Sequence, residues 1–194
     1  MSDFAETPIN TSHSLRSQGD LAIDVSKVAA PMVNQSDAPF RTLCMKYGVT
    51  CVFSEMLYSE KIVDDEKYLP AYIPHQDFSF LGHRCRPLIV QICGNNPDIL
   101  ARACERIANS IQVDGVDLNL GCPQERAKDG LYGSYLLDKK HWPLVFDCVR
   151  SMKLVLERFG LLLSCKIRLL DGPAGIDSTV EFCRYWSFFL FLFS

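Results

Sequence analysis

Glycine-rich nucleotide motifs are absent from this sequence. No Gly-x-Gly occurs anywhere in the 194 residues, and no loop of the Gly-Lys-Ser or Gly-Lys-Thr kind is present. Rossmann-type and P-loop folds need such glycines to bring the backbone against the phosphate groups of a nucleotide. Their absence argues against both classes of protein.

The nine cysteines form no recognisable framework. They are odd in number and scattered, and no two of them are arranged as Cys-x-x-Cys. The pattern favours neither a disulfide scaffold nor a zinc ribbon, and the sequence predicts no metal site. Unpaired cysteines are typical of a reducing compartment, so we expect a cytoplasmic protein.

An excess of positive charge and a long apolar run are also missing. Lys and Arg number 20 against 23 Asp and Glu, which gives a net charge of −3. The chain as a whole therefore lacks the positive field that dominates nucleic-acid affinity, although it can still contain local clusters of Lys and Arg. The apolar run over residues 187–194 is shorter than the about 20 residues of a membrane helix. The N-terminal segment has no signal or transit pattern, and we expect a soluble chain without a membrane segment.

The sequence does contain an alternation of apolar and helical segments, after a polar start. Residues 1–24 are rich in Ser, Thr, Asn and Asp and predict a flexible leader. From residue 25 onward, short apolar runs alternate with segments of helical periodicity, which is the pattern of a parallel α/β sheet. The predicted strands are Val25–Met32, Cys51–Leu57, Leu88–Cys93, Gly115–Cys122 and Leu161–Leu170.

Five such strands fit either an open doubly wound sheet or the first part of an eight-stranded (β/α) barrel. The missing Gly-x-Gly removes the main support for the first architecture. Helix starts are marked by Asp37, Asn96 and Asp138, each of which stands just before a helical segment. The stretch between Tyr58 and Arg86 is long for one connection, and predicts a helix followed by an extended loop.

Polar side chains stand near the C-terminal ends of these apolar strands. Gln91 lies near the end of the third strand, Asn119 and Cys122 at the fourth, and Lys166 and Arg168 along the fifth. A polar group on a strand that is buried on both faces needs a partner or a function. Parallel α/β proteins place their chemistry at this edge of the sheet, so we interpret these residues as a candidate site.

Five short motifs follow one another along the chain. They are Ala29-Ala-Pro-Met-Val33, Val90-Gln-Ile92, Asp117-Leu-Asn-Leu-Gly-Cys-Pro-Gln124, Ala127-x-x-Gly-x-Tyr-Gly133 and Cys165-Lys-Ile-Arg168. In this order and spacing the chain resembles the tRNA-dihydrouridine synthases, from about Lys27 to about Cys183. It is most similar to the eukaryotic type with Gln after Gly-Cys-Pro, in the subclass that acts on D-loop uridines.

The resemblance implies a (β/α)8 TIM barrel. This chain would carry about the first five βα units, over residues 25–183, followed by a divergent apolar tail over residues 184–194. FMN is the implied cofactor, NAD(P)H the implied reductant and tRNA the implied substrate. Family members continue through three more strands and a helical tRNA-binding domain, so we expect a C-terminally truncated form. Its activity and its oligomeric state are left open.

Within this resemblance, Cys122 is the expected catalytic acid. Saturating a uracil double bond takes a hydride at one carbon and a proton at its neighbour, so a reduced flavin and an acid must face opposite sides of the ring. An ordinary thiol, with a pKa of about 8.5, is largely protonated at neutral pH and can give that proton. For cysteines such as Cys44, Cys104 and Cys148 we expect only a small apolar filler of the core.

The resemblance also assigns flavin contacts. The residues concerned are Pro31, Met32, Val33, Gln91 and Lys166. The first three form a turn against the flavin, the amide of Gln91 suits the uracil-like edge of the ring, and Lys166 stabilises the negative charge of the reduced ring. Each assignment also has a purely structural alternative. The first three residues can be just a strand exit, Gln91 a buried amide whose hydrogen bonds are satisfied within the protein, and Lys166 a solvated lysine at the end of a strand.

The sequence does not decide which residues contact the substrate, and it leaves two other functions open. Asn119 binds substrate or flavin, or only holds the loop after the fourth strand. Arg126 and Arg168 could meet RNA phosphates, although cations on loops are usually only solvated. The chain could instead be a non-catalytic truncated isoform that pairs with other chains, or a flavin barrel oxidoreductase acting on a small pyrimidine. Partner binding without flavin would identify the former, and turnover without RNA the latter.

Overall fold

The computed structural model describes residues 14–16, 22–73, 85–170 and 175–191. Two short strands, β1 (Ser14–Arg16) and β2 (Ala22–Asp24), pair with each other in antiparallel fashion. Both lie within the segment where the sequence predicts a leader, whose other residues fall outside the described part of the chain. The predicted extended loop before Arg86 falls there too over residues 74–84.

A parallel sheet forms the centre of the fold. Its strands are β3 (Val28–Ala29), β4 (Cys51–Phe53), β5 (Leu57–Tyr58), β6 (Leu88–Cys93), β7 (Gly115–Leu120) and β8 (Leu162–Ile167). The spatial order is β3-β4-β6-β7-β8, with β5 pairing to β6 further along the edge that β4 occupies. The strands form a curled half-barrel with alternating helices, which confirms the prediction of an incomplete (β/α)8 barrel.

Helices connect the strands. They are α1 (Ala38–Lys46), α2 (Ser59–Asp64), α3 (Tyr68–Tyr72), α4 (Pro97–Ser110), α5 (Glu125–Asp129), α6 (Trp142–Arg158) and α7 (Gly175–Phe191), with 3-10 turns at Gly133–Leu137 and Lys139–His141. The side chain of Asp37 accepts from the N–H of Phe40, and that of Asn96 accepts from two N–H groups of α4. Both predicted caps are therefore confirmed.

One helix prediction differs from the structure. Asp138 caps the short 3-10 turn rather than α6, which begins four residues later at Trp142. Helix α7 runs past residue 184 as far as Phe191, and the divergent tail over residues 184–194 stays a prediction. Within the described ranges, we find no helix whose length and apolar character would suffice to cross a membrane.

The core lies between the sheet and helices α4 and α6. On the helix-facing side of β6 and β7, Val90, Ile92, Val116 and Leu118 have no exposed surface. They pack against buried side chains of the two helices, which are Leu100, Ala103, Cys104, Ile107, Val145, Cys148, Met152 and Leu156. Side chains alternate along a strand, so residues 89, 91 and 93 of β6 and residues 115, 117 and 119 of β7 point to the opposite, inner face.

The register sets the inner side chains in rows. Gln91 of β6 pairs with Asp117 of β7, which pairs with Ser164 of β8. One step further toward the C-terminal edge, Asn119 pairs with Lys166. The inner face therefore carries polar groups side by side at the edge where barrel enzymes place their chemistry.

Candidate active site at the C-terminal edge of the sheet

Cys122 lies in the turn that leaves β7, and this turn is held from both sides. The Oδ1 of Asn119 accepts from the N–H groups of Gly121 and Cys122, at 3.1 and 3.0 Å. The carbonyl oxygen of Cys122 accepts from both the N–H and the Oγ of Ser134, each at 3.0 Å. The thiol is half-buried, so a fixed backbone presents it at the strand exit.

Gly133 packs directly against Cys122. Its φ of +66° lies in the left-handed region, and a Cβ added to it would be 2.6 Å from the carbonyl oxygen of Cys122 and 2.9 Å from the Cβ of Cys122. No side chain fits into that space without moving the cysteine. This contact gives a physical reason for the glycine in the motif that ends at residue 133.

A buried polar row underlies the turn. The carboxylate of Asp117 accepts from the Nε2 of Gln91 at 2.8 Å and from the Oγ of Ser164 at 2.7 Å. The Oε1 of Gln91 accepts from the Nδ2 of Asn119 at 2.9 Å. Gln91 and Asp117 are each 1% exposed, and the row joins three neighbouring strands below Cys122.

Burial dominates the electrostatics of Asp117. It raises the pKa of this carboxyl to about 6, although the hydrogen bonds from Ser164 and Gln91 and the positive charge of Lys166 act in the opposite direction. Lys166 itself is exposed at the end of β8. It forms no ion pair with any residue that the structure describes.

Aromatic and thiol groups line the side of the turn nearer β5. The hydroxyl oxygens of Tyr58 and Tyr132 lie 3.2 Å apart, and their rings meet edge to face at 5.9 Å between centroids. Cys93 belongs to the same apolar cluster, against which Cys122 packs. Burial raises the pKa of the Cys93 thiol to about 12, so this second thiol stays protonated near Cys122. The hydroxyl of Tyr135 donates to the carbonyl oxygen of Pro123 at 3.1 Å.

The predicted flavin turn lies at the same edge, two strand positions away from β6. Pro31, Met32 and Val33 follow β3, and the buried Ser36 closes the turn: its Oγ accepts from the N–H of Met32 at 2.9 Å. The carbonyl oxygen of Met32 in turn accepts from the N–H groups of Gln35 and Ser36. The structure thus places these three residues in a closed turn.

The two predicted RNA contacts, Arg126 and Arg168, flank Cys122. Arg126 is exposed on α5, and its Nε donates to the Oε1 of Gln124 at 2.7 Å. Arg168 follows β8, and its backbone nitrogen would lie 3.5 Å from a Cβ built on Gly121. Arg126 is therefore on the helix that follows the turn, and Arg168 lies directly after the neighbouring strand.

Sequence reasoning assigned no role to Asp117, Ser164 or Asn95. The Nδ2 of Asn95 donates to the carbonyl oxygens of Gly130 and Leu131, which ties the loop after β6 to the loop after β7. A signal was present for Asp117, because a carboxylate two residues before Asn119 in a buried strand shares its face. Among the described residues, no cluster of three or more His, Cys, Asp or Glu side chains is arranged to hold a metal ion.

Comparison with known proteins adds an independent result. Residues 28–186 match the family model described as dihydrouridine synthase (Dus). The relative from Saccharomyces cerevisiae named tRNA-dihydrouridine(16/17) synthase, with NAD(P)(+) in its name, is 35% identical over 146 residues, which are 75% of this chain and 32% of the relative.

Two animal relatives give the same result. The (16/17) synthase-like protein of Rattus norvegicus is 34% identical over 157 residues, 81% of this chain and 33% of its own length. The human tRNA-dihydrouridine(20a/20b) synthase-like protein is 33% identical over 160 residues, 81% of this chain and 46% of its own length. The chain thus spans one third to just under one half of these relatives. Because the family model covers most of the chain, including the turn around Cys122, the chain belongs to the dihydrouridine synthase family.

Proposed function

We propose that this chain carries the catalytic edge of a tRNA-dihydrouridine synthase. The reaction is the reduction of a uridine in tRNA to 5,6-dihydrouridine, with FMN as the bound flavin and NAD(P)H as the reductant. The observation that carries the proposal is the thiol of Cys122, held at the exit of β7 by Asn119 and Ser134. The names of the relatives support a D-loop uridine, at position 16, 17, 20a or 20b.

Cys122 donates the proton in this proposal. When bound, FMN supplies the hydride for one carbon of the uracil ring, and the neighbouring carbon then takes its proton from the acid on the other face. The Sγ–H bond of Cys122 breaks, the new C–H bond forms, and the thiolate is reprotonated from solvent. The fixed backbone of the turn keeps the thiol in one place during this transfer.

The residues at this edge suit the pyrimidine edge of a flavin. That edge presents both donors and acceptors, and the amide of Gln91 keeps one N–H and one lone pair beyond the bonds it already makes. Lys166 is an exposed cation beside Asn119 in the sheet register, suited to the negative charge of a reduced ring. Pro31, Met32 and Val33 would form the wall of the site on the β3 side.

The RNA contacts would come from residues that follow the strands β7 and β8. A uridine within a folded tRNA must leave its stack to reach a thiol at the sheet edge. In this proposal Arg126 on α5 and Arg168 after β8 contact the phosphates beside that uridine, and Asn119 contacts its base or the flavin.

Flavin binding and uridine reduction test the proposal directly. The chain is incubated with FMN, freed of excess by gel filtration, and read by visible absorbance against protein concentration. Dihydrouridine is then measured by mass spectrometry in tRNA treated with the chain and NADPH. We expect bound flavin, and a Cys122→Ala variant that keeps flavin but loses about 100-fold or more of the reduction rate, as for a lost general acid.

The matched control is Cys183→Ala, which removes an exposed cysteine on α7 and should leave both readouts unchanged. A folded chain that takes up no FMN would contradict the flavin assignment. Equal dihydrouridine formation by wild type and Cys122→Ala would contradict the role of this thiol. Reduction of free uridine without tRNA would favour a small-molecule oxidoreductase instead.

A further inference from the structure

An unbroken chain of hydrogen bonds leads from Asp117 to the backbone of Cys122. The carboxylate of Asp117 accepts from Gln91, the Oε1 of Gln91 accepts from Asn119, and the Oδ1 of Asn119 accepts from the N–H groups of Gly121 and Cys122. All of these contacts measure 2.8 to 3.1 Å. Ser164 also donates to Asp117, at the end of the chain away from Cys122.

The two ends of this series of hydrogen bonds fix the direction of the amides of Gln91 and Asn119. A side-chain amide offers a donor on one side and an acceptor on the other, and by itself it can face either way. The ionised carboxylate of Asp117 can only accept, so Gln91 must turn its Nε2 toward it and its Oε1 toward Asn119. The N–H groups of the turn can only donate, so Asn119 must turn its Oδ1 toward them. Both requirements select the same arrangement.

We propose that Asp117 is a positioning residue for Cys122, because it orients the amides of Gln91 and Asn119 and thereby holds the turn that carries the thiol. The proposal rests on the proposed function, in which Cys122 gives the proton. The sheet register supports it, since Gln91, Asp117 and Ser164 are direct partners across three strands. Burial supports it as well, because Asp117 and Gln91 are 1% exposed and Asn119 is 8% exposed, which leaves water little room to replace a lost partner.

Replacing Asp117 by Asn tests the orienting role at nearly constant volume. The new side chain can accept from the Nε2 of Gln91 through its Oδ1 while its Nδ2 faces the Oγ of Ser164, or it can turn its Nδ2 toward Gln91. A carboxylate no longer enforces the first of these arrangements, and the charge-assisted bond to Gln91 becomes a neutral one. The amides of Gln91 and Asn119, and with them the turn, are therefore held less firmly.

A double exchange should restore the arrangement. In Gln91→Glu combined with Asp117→Asn, the asparagine donates to the new carboxylate at position 91. That carboxylate also accepts from the Nδ2 of Asn119, whose Oδ1 again faces the turn. The net charge of the pair is unchanged, and a role that depends on a carboxylate at position 117 itself predicts no such recovery.

The readout is the alkylation rate of Cys122 by iodoacetamide in the folded chain, at one neutral pH, followed by peptide mass spectrometry. Cys183, exposed on α7, is the internal reference. We expect Asp117→Asn to change the Cys122 rate by about tenfold, the size of one hydrogen bond. The double variant should return within about twofold of wild type. Ser164→Ala, which removes only the hydrogen bond outside the path to Cys122, should stay within the same range.

Three outcomes would overturn the proposal: a folded Asp117→Asn chain with the wild-type Cys122 rate, a Ser164→Ala change as large as that of Asp117→Asn, or a double variant that does not recover. If Asp117→Asn fails to fold, the double variant decides, and its failure to fold or to react as wild type is contrary to the proposal. Neither flavin nor tRNA enters this measurement. A chain without uridine reduction but with the expected thiol rates would therefore contradict the proposed function alone.

Discussion

At the scale of single residues, a glycine decides how closely two loops approach each other. Gly133 touches the backbone of Cys122, while Gly160 has nearly the same φ, +64° against +66°, but nothing within 4 Å of an added Cβ. Both positions require a positive φ, and they differ in that only Gly133 has another residue against the place of its Cβ. Comparing alanine at both separates the effect of the contact from the effect of the backbone.

We expect Gly160→Ala to lower the free energy of unfolding by about 1 to 2 kcal/mol, the usual cost of a left-handed conformation. Gly133→Ala should lower it by about 1 to 3 kcal/mol more, because the new methyl group overlaps Cys122. It should also change the alkylation rate of Cys122, which Gly160→Ala should not. Urea unfolding and thiol labelling measure both effects, and equal losses at the two positions would refute the steric argument.

Asp117 gives a prediction on pH. Burial raises the pKa of its carboxyl to about 6, above the ordinary value of 3.8, so the folded chain holds this proton more tightly than the unfolded chain. The contribution of Asp117 to stability is therefore largest below about pH 4, falls as the pH rises to about 6, and is constant above that. The groups that face it are Gln91, Ser164 and Lys166.

We expect the difference in unfolding free energy between wild type and Asp117→Asn to shift by about 2 to 3 kcal/mol between pH 4 and pH 7. Wild type loses unfolding free energy relative to the variant as the pH rises, because only wild type must keep a charge in the buried row. Urea unfolding at several pH values checks it. A difference that is constant over this range, or one that grows in favour of wild type, would show that the pKa of Asp117 is not raised.

At the scale of elements, one carboxylate joins the beginnings of β6 and β7. The Oδ1 of Asp114 accepts from the guanidinium of Arg86 at 2.6 Å, and its Oδ2 accepts from the Nε of Arg86 at 3.0 Å and from the N–H of Leu88 at 2.8 Å. The carboxylate side chain is 15% exposed. Because these hydrogen bonds are charge-assisted and partly buried, they are stronger than hydrogen bonds between neutral groups.

We expect Asp114→Ala to destabilise the chain by about 2 to 3 kcal/mol, because a charged partner and a strand N–H lose their acceptor together. The matched control is Glu125→Ala, which breaks the exposed pair with Lys128 and should change the unfolding free energy by less than about 0.5 kcal/mol. Thermal unfolding of the two variants compares them. Similar losses for both would mean that Asp114 acts as an ordinary surface charge.

The elements also show what the sequence pattern could and could not predict. Alternating apolar and helical segments were enough for the five strand positions and for two helix caps. The split of the predicted strand 51–57 into β4 and β5 was not predictable. There the Oγ of Ser54 accepts from the N–H of Gln91 at 3.0 Å, so a side chain takes the place of the β4 backbone, and no period in the sequence reports such an exchange.

The same limit applies to the candidate site. Gln91, Asn119, Cys122 and Lys166 were predicted because polar residues at the ends of apolar strands are conspicuous. Ser164 was not, because a serine in a strand of intermediate burial can face either side until the register is known. Only the pairing of β7 with β8 places it on Asp117.

At the scale of the whole molecule, stability should be concentrated in the middle of the sheet. Strands β6 and β7 are each flanked by other strands on both sides, and β3 is a two-residue strand at one end of the described order. Helices α4 and α6 pack on each other and cover the central strands with buried side chains. Local opening should therefore begin away from this centre.

We expect backbone amides of β6, β7 and the buried face of α4 to exchange with deuterium at least about tenfold more slowly than those of β3 and α1. Their opening requires the loss of the common core, whereas the others open locally. Hydrogen exchange followed by mass spectrometry measures the difference. Uniform exchange across these elements would contradict a core centred between the sheet and helices α4 and α6.

The polar row between the strands has a further consequence, for how the chain finds its fold. If β7 slipped by one residue against β6, Asp117 and Asn119 would turn toward the apolar helices, and Leu118 would turn inward. A carboxylate without partners in that layer is strongly unfavourable, whereas a sheet made only of Val, Leu and Ile would tolerate the slip. The polar residues beneath Cys122 thus also disfavour misaligned strands, so the side chains that we propose to position the thiol at the same time help to select the native register.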